Sequence, residues 1–146
     1  MAENELPKGE ETAVEENQAK TLDEKDLSSL IQQIKTLLGD RVTDVRSTDR
    51  LSDSPARLVD PEGSPDQSFQ RVYRLLNKDF TAPKKVLEIN PRHIIMTRLS
   101  ALPVDDPRFA PIIEQVYENA LLIEGIHPDP ASMITRIQKI IEDALE

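Results

Sequence analysis

From Leu27 onward the apolar positions recur with a helical beat: Leu27, Leu30, Ile31, Ile34, Leu37 and Leu38 follow the i, i+3, i+4, i+7 rhythm of one amphipathic face. Thr21 and Glu24 stand at capping-box spacing ahead of this face, and Gly39 sits where such a helix stops. The beat then changes. RVTDVRS and ARLV are short runs containing β-branched or apolar residues, split by a polar segment around Asp49 to Pro55, and they predict two strands; KVLEI predicts a third. Between the second and third lies PEGSPDQSFQRVYRLL, with a turn at Pro61 to Gly63, Ser64 as N-cap, Pro65 at the first helical position and Gln67 at the capping-box position. Phe69, Val72, Tyr73 and Leu76 then line one face of a helix, with Phe80 further along the same stretch.

At VLEINPRHIIMTRLS the pattern passes from a strand straight into helical spacing. Asn90 is a suitable N-cap and Pro91 a suitable first helical residue, because the missing proline N–H has no intrahelical acceptor there. Ile95, Leu99 and Leu102 are the expected docking residues, and His93 falls in the first turn as a surface or capping side chain. The last third carries the strongest helical signal. Phe109, Ile112, Ile113, Val116, Tyr117, Ala120, Leu121 and Ile123 form a broad face, interrupted early by Pro111, which predicts a bend or a start near Ala110. Gly125 ends this helix and Asp129-Pro130 begins the last one, equally broad through Met133, Ile134, Ile137, Ile140, Ile141, Ala144 and Leu145. The expected fold class is α+β: a small three-stranded sheet packed with several α-helices.

Composition sharpens this picture. The chain has 146 residues, enough for one domain with a core but not two. Four Gly, 11 Pro and 3% aromatic residues favour short, proline-punctuated helices over a turn-rich sandwich. Residues 1 to 20 are Glu-rich and nearly devoid of large apolar side chains, so they read as a disordered acidic linker or leader ahead of a domain spanning 21 to 146. A net charge of -9 repels phosphate backbones, which argues against nucleic acid as a partner. No apolar run reaches the roughly 18 residues a membrane span needs, and no basic, apolar leader opens the chain. The absence of cysteine removes thiolate, disulfide and Cys-metal chemistry and fits a reducing, cytoplasmic compartment.

Candidate chemistry adds little. Two histidines, His93 and His127, are far apart in sequence, and the glycines form no phosphate cradle or dinucleotide fingerprint. Asp44, Asp49 and Asp53 are carboxylates in a polar turn region of an acidic chain and read as solvated charge. Catalytic, cofactor and metal sites are therefore not expected. What rises above background is apolar excess. Two over-wide helices at the end of a small domain imply a partner, and the commonest is a second copy related by two-fold symmetry. The expected interface comprises Ile112, Ile113, Val116, Tyr117 and Ala120 on the long helix, with Met133, Ile134, Ile137, Ile140, Ile141 and Leu145 on the last. Two helices from each copy would form an intersubunit four-helix bundle, able to reach the roughly 1,600 Å² of a standard interface. The competing interpretation is a monomeric adaptor that binds an amphipathic helix in an apolar groove.

The same residues carry a family resemblance. GDRVTDVRSTDRLSDSPARLV resembles the signature at the start of the C-terminal domain of the ninety-kilodalton heat-shock chaperones, bacterial HtpG type, and KVLEINPRHIIMTRL resembles the second. LLIEG and the DP-initiated last helix are similar to the family's dimerisation region, so the likeness runs from about Leu27 to Leu145. It implies a domain of a larger ATP-dependent chaperone that assists folding under stress, with ATP and magnesium bound in the parent's N-terminal domain and no cofactor here. It implies self-association through Asp106 to Glu124 and Pro130 to Leu145. It also implies contact with unfolded or partly folded client proteins through Phe69, Val72, Tyr73 and Leu76. The end IIEDALE lacks the MEEVD tail of cytosolic eukaryotic relatives, which points to a bacterial or organelle-type member.

Overall fold

The computed structural model describes residues 22–62, 76 and 84–146. Helix α1 (Glu24–Leu38) begins at Asp23, whose carboxylate accepts the Asp26 N–H at 2.8 Å, and ends at Gly39 with φ of 57°. The expected Thr21/Glu24 capping box is thus corrected: Asp23 lies directly before the first helical residue and reaches an orphan amide that Thr21 is too far upstream to serve. Leu30, Ile34 and Leu38 are buried along one stripe, and Leu27, Ile31 and Leu37 pack at its edges.

The three expected strands are present as β1 (Asp44–Ser47), β2 (Ala56–Val59) and β3 (Val86–Ile89). Their order is β1-β3-β2, with β3 parallel to β1 and antiparallel to β2. Val45, Leu87 and Leu58 align across the sheet and face the core. On the opposite face Arg46, Glu88 and Arg57 align, and each guanidinium meets the Glu88 carboxylate at 2.8 Å. The central strand is therefore buried on both sides, by side chains on one and by the arginine stems on the other. Burial opposes ionisation of Glu88, yet the hydrogen-bonded Arg57 and Arg46 hold its carboxyl below the ordinary glutamate value.

The exit from β3 differs from the expected strand-to-helix cap. Asn90 is only 1% exposed and does not cap a helix: its amide donates to the carbonyls of Leu51 and Ser54 at 3.3 Å, and its oxygen accepts the Arg92 N–H at 3.0 Å. Its own N–H reaches the Pro55 carbonyl at 2.8 Å. Asn90 is a staple between the β1–β2 connection and the end of β3, so the turn through Pro91 and Arg92 delays the helix by three residues. His93 is the N-cap of α2 (Ile94–Ser100), its Nδ1 accepting the Ile95 N–H at 3.1 Å. Met96, absent from the expected docking set, is the fully buried residue of α2, beside buried Leu99 and the partly buried Ile95 and Leu102.

Helix α3 (Phe109–Ile123) begins just ahead of the expected Ala110, and Pro111 is its third residue, still within the first turn where a missing N–H costs no bond. It ends in a Schellman geometry: Gly125, at φ of 72°, donates to Leu122 at 3.0 Å and Ile126 donates to Leu121 at 3.0 Å. A 3₁₀ turn (Pro130–Met133) leads into α4 (Ile134–Ala144). Helix α3 packs across β2 and α1, whereas α4 packs on α3 alone among the larger elements. These four α-helices and the mixed sheet make an α+β fold among the described residues.

Candidate association surface

The inward face of α3 places Ile113, Val116 and Ala120 in the core, 1%, 6% and 3% exposed. Met133, 5% exposed, is buried at the start of the last helical segment. These four residues of the expected interface are covered by their own chain, because the sheet and α1 present apolar side chains directly opposite them. Ile112 and Tyr117 lie half-buried at the edge of that core. The remainder behaves differently. Helix α4 contains no buried residue. Five of the seven large hydrophobics left exposed among the described residues are Leu122, Ile123, Ile134, Ile141 and Leu145, at the end of α3 and along α4. Ile134, Ile141 and Leu145 are separated by seven and four positions, so they form one stripe along the helix. Ile137 and Ile140 are half-buried on the flank toward α3.

Polar contacts fix the angle at which α4 leaves α3. The His127 side chain is 4% exposed; its Nδ1 accepts the Asp129 N–H at 3.0 Å, which places the ring proton on Nε2 for donation to Glu118 Oε1 at 2.6 Å. Arg136, on α4, meets the other Glu118 oxygen at 2.6 Å and Gln115 at 3.3 Å. One carboxylate on α3 thus holds both the connecting turn and the last helix. Burial opposes the charge on Glu118, but the hydrogen bonds from His127 and Arg136 keep its carboxyl below the usual value. No local spacing announces this clasp, since its members are nine and eighteen residues apart and meet only when the hairpin closes. At the other end of α3, Asp106 folds back on Arg108, whose guanidinium and N–H hold the Asp106 carboxyl at about 2.

A group held below its unfolded value contributes stability above that value and loses it as pH falls through the folded one. Glu118→Gln is therefore expected to lower thermal stability at pH 7 by about 1–2 kcal/mol, with the deficit shrinking below roughly pH 4, where the wild-type carboxylate is itself protonated. Melting curves of both proteins from pH 7 to pH 3 read this directly. A deficit that stayed constant across that range would remove the ionic role of the clasp.

The other polar residues singled out in the sequence do not converge. Asp44 accepts the Val45 N–H and pairs with Lys35 at 2.9 Å, while Asp49 and Asp53 are exposed on the β1–β2 connection. Among the described residues no group of three or more His, Asp or Glu is placed to hold a metal ion, and no helix is long and apolar enough to cross a membrane. Phe69, Val72 and Tyr73 lie outside the described residues; Leu76 is 82% exposed.

What fold and surface define is a small α+β domain whose unburied apolar surface is concentrated on its last two helices. The model of the Hsp90 protein family matches residues 2–146, and the chain belongs to that family. It is 46% identical over 123 residues to the chaperone protein HtpG of Oleidesulfovibrio alaskensis, covering 82% of this chain and 19% of that protein. To the chaperone protein HtpG of Desulfitobacterium hafniense it is 41% identical over 128 residues, covering 86% and 20%. To the mitochondrial heat shock protein 75 kDa of Bos taurus it is 34% identical over 129 residues, covering 86% and 18%. The chain spans about a fifth of the length of the curated relatives it matches.

Proposed function

We propose that this chain is the homodimerisation domain of an HtpG-like, ATP-dependent cytoplasmic chaperone that assists protein folding under stress. The observation that carries the proposal is the open face of α4: a helix with no buried residue, bearing Ile134, Ile141 and Leu145 in one stripe, is not a stable surface for a lone domain. Likeness to HtpG supplies the larger context. The mechanism is mechanical. A constant pairing would tether the two remaining portions of the parent at an effective concentration in the millimolar range, so that their closure on one another becomes intramolecular. ATP, with its magnesium, would act in those portions. This domain contributes the joint, and the segment holding Phe69, Val72, Tyr73 and Leu76 contributes contact with unfolded clients.

Mixing isotope-labelled with unlabelled chain and recording isotope-filtered NOEs tests the joint. Methyl contacts between copies at Ile134, Ile141 and Leu145 are expected. If cross-copy NOEs placed these methyls elsewhere, or none appeared at millimolar protein, the joint would have to be sought on another surface. For client contact, a photo-crosslinker at Tyr73 should capture a denatured substrate and lose it when Phe69 and Leu76 are made polar.

A further inference from the structure

A groove of about 290 Å³ runs between α2 and the first half of α3. Its floor is apolar, formed by Ile94, Ile95, Leu99, Leu102 and Ile112, and its rim carries Arg98 and Arg108. The two arginines differ. Arg108 is closed onto Asp106 at 2.8 Å, whereas the exposed Arg98 guanidinium has no partner among the described residues. An apolar trough with an unsatisfied cation at its edge fits an amphipathic segment with an aliphatic row beside a row of carboxylates.

The last helix has that pattern. Ile141 and Leu145 are 52% and 82% exposed, and Glu142 and Glu146 follow each of them by one position, forming a parallel row on the adjoining flank. Asp143 is engaged by Lys139 at 3.0 Å, which leaves Glu142 and Glu146 as the carboxylates facing outward. An apolar cavity of about 150 Å³ holds a benzene ring, so the groove has room for two aliphatic side chains. The groove also runs on into the seam between α3 and α4, because a second depression shares Arg108 and Ile112 with it and reaches Ile140 and Ala144. A second copy lying along the open stripe of α4 therefore meets a continuous apolar track leading to the groove.

We propose that the groove receives the last helix of a second copy, with Ile141 and Leu145 of that copy in the trough and its Glu142 and Glu146 against Arg98. The inference rests on the dimer reading above and adds the receptor surface, so that each copy both inserts a helix end and accepts one. Arg98 sets orientation: it rewards the acidic flank of the incoming helix.

Charge exchange in the full chain, read by sedimentation equilibrium, tests this. Arg98→Glu and the pair Glu142→Lys with Glu146→Lys should each weaken dimerisation by roughly tenfold. In each altered homodimer two like-charged contacts form. An equimolar mixture of the two altered chains should recover wild-type association, since its heterodimer holds one native and one reversed contact. Recovery only when all three substitutions share one chain would show that the chain's own tail occupies the groove, and would overturn the proposal. A wild-type dimer indifferent to Arg98→Glu would also overturn it while leaving the dimer reading intact, and loss of an added acidic amphipathic peptide in that variant would assign the groove to an adaptor role. A wild-type chain monomeric throughout would instead strike at the dimer reading itself.

Discussion

Ile141→Asp is expected to convert the dimer to a folded monomer, raising the dissociation constant by about three orders of magnitude or more. The size follows from symmetry: each dimer would bury two unpaired carboxylates, at several kcal/mol apiece, against about 1.4 kcal/mol per tenfold change in affinity. The fold should survive, because Ile141 is 52% exposed in the single chain and belongs to a helix with no buried residue; its cost to monomer stability is expected within about 0.5 kcal/mol. Ile113→Asp is the matched control. At 1% exposure Ile113 belongs to the core, so a carboxylate there should unfold the chain rather than merely separate two copies. Sedimentation together with circular dichroism distinguishes the outcomes. If Ile141→Asp left the dimer unchanged, the open stripe of α4 would not be the joint.

The second large effect is expected at Asn90. An N-cap accepts Asp as readily as Asn, so if Asn90 were a helix cap then Asn90→Asp would be nearly neutral. As a buried staple it cannot be. The substitution keeps an acceptor for the Arg92 N–H but replaces the amide donor with a carboxylate facing the Leu51 and Ser54 carbonyls. Loss of two hydrogen bonds and burial of unpaired charge should cost about 3 kcal/mol or more. Urea denaturation at pH 7 measures it, and a change below 1 kcal/mol would return Asn90 to the role of a cap.

This residue also shows where local pattern stops being informative. Asn-Pro before a helical run satisfies the rules for a helix start, yet which carbonyls Asn90 meets depends on the β1–β2 connection almost forty residues earlier. Strand identity was legible from DVRS, ARLV and VLEI because β-branched and apolar residues cluster there. Strand order was not, since nothing in VLEI says that it lies between the other two; Glu88 in its midst reads as solvent-facing until two arginines from the edge strands close over it. The long helix teaches the same lesson about surfaces. Its spacing shows that Ile113, Val116 and Ala120 share a face but not what covers them, and the cover is the domain's own sheet and first helix. Ile134, Ile141 and Leu145 share an equally apolar stripe with no such cover.

Dimerisation through the last helix therefore rests on surface that one chain leaves open. Solution mass across a concentration series is its most direct measurement. The wild-type chain should sediment at twice 16.5 kDa from high micromolar down to nanomolar protein, and Ile141→Asp at 16.5 kDa over the same range. A wild-type mass of one chain at high micromolar protein, with α4 still folded, would contradict the account.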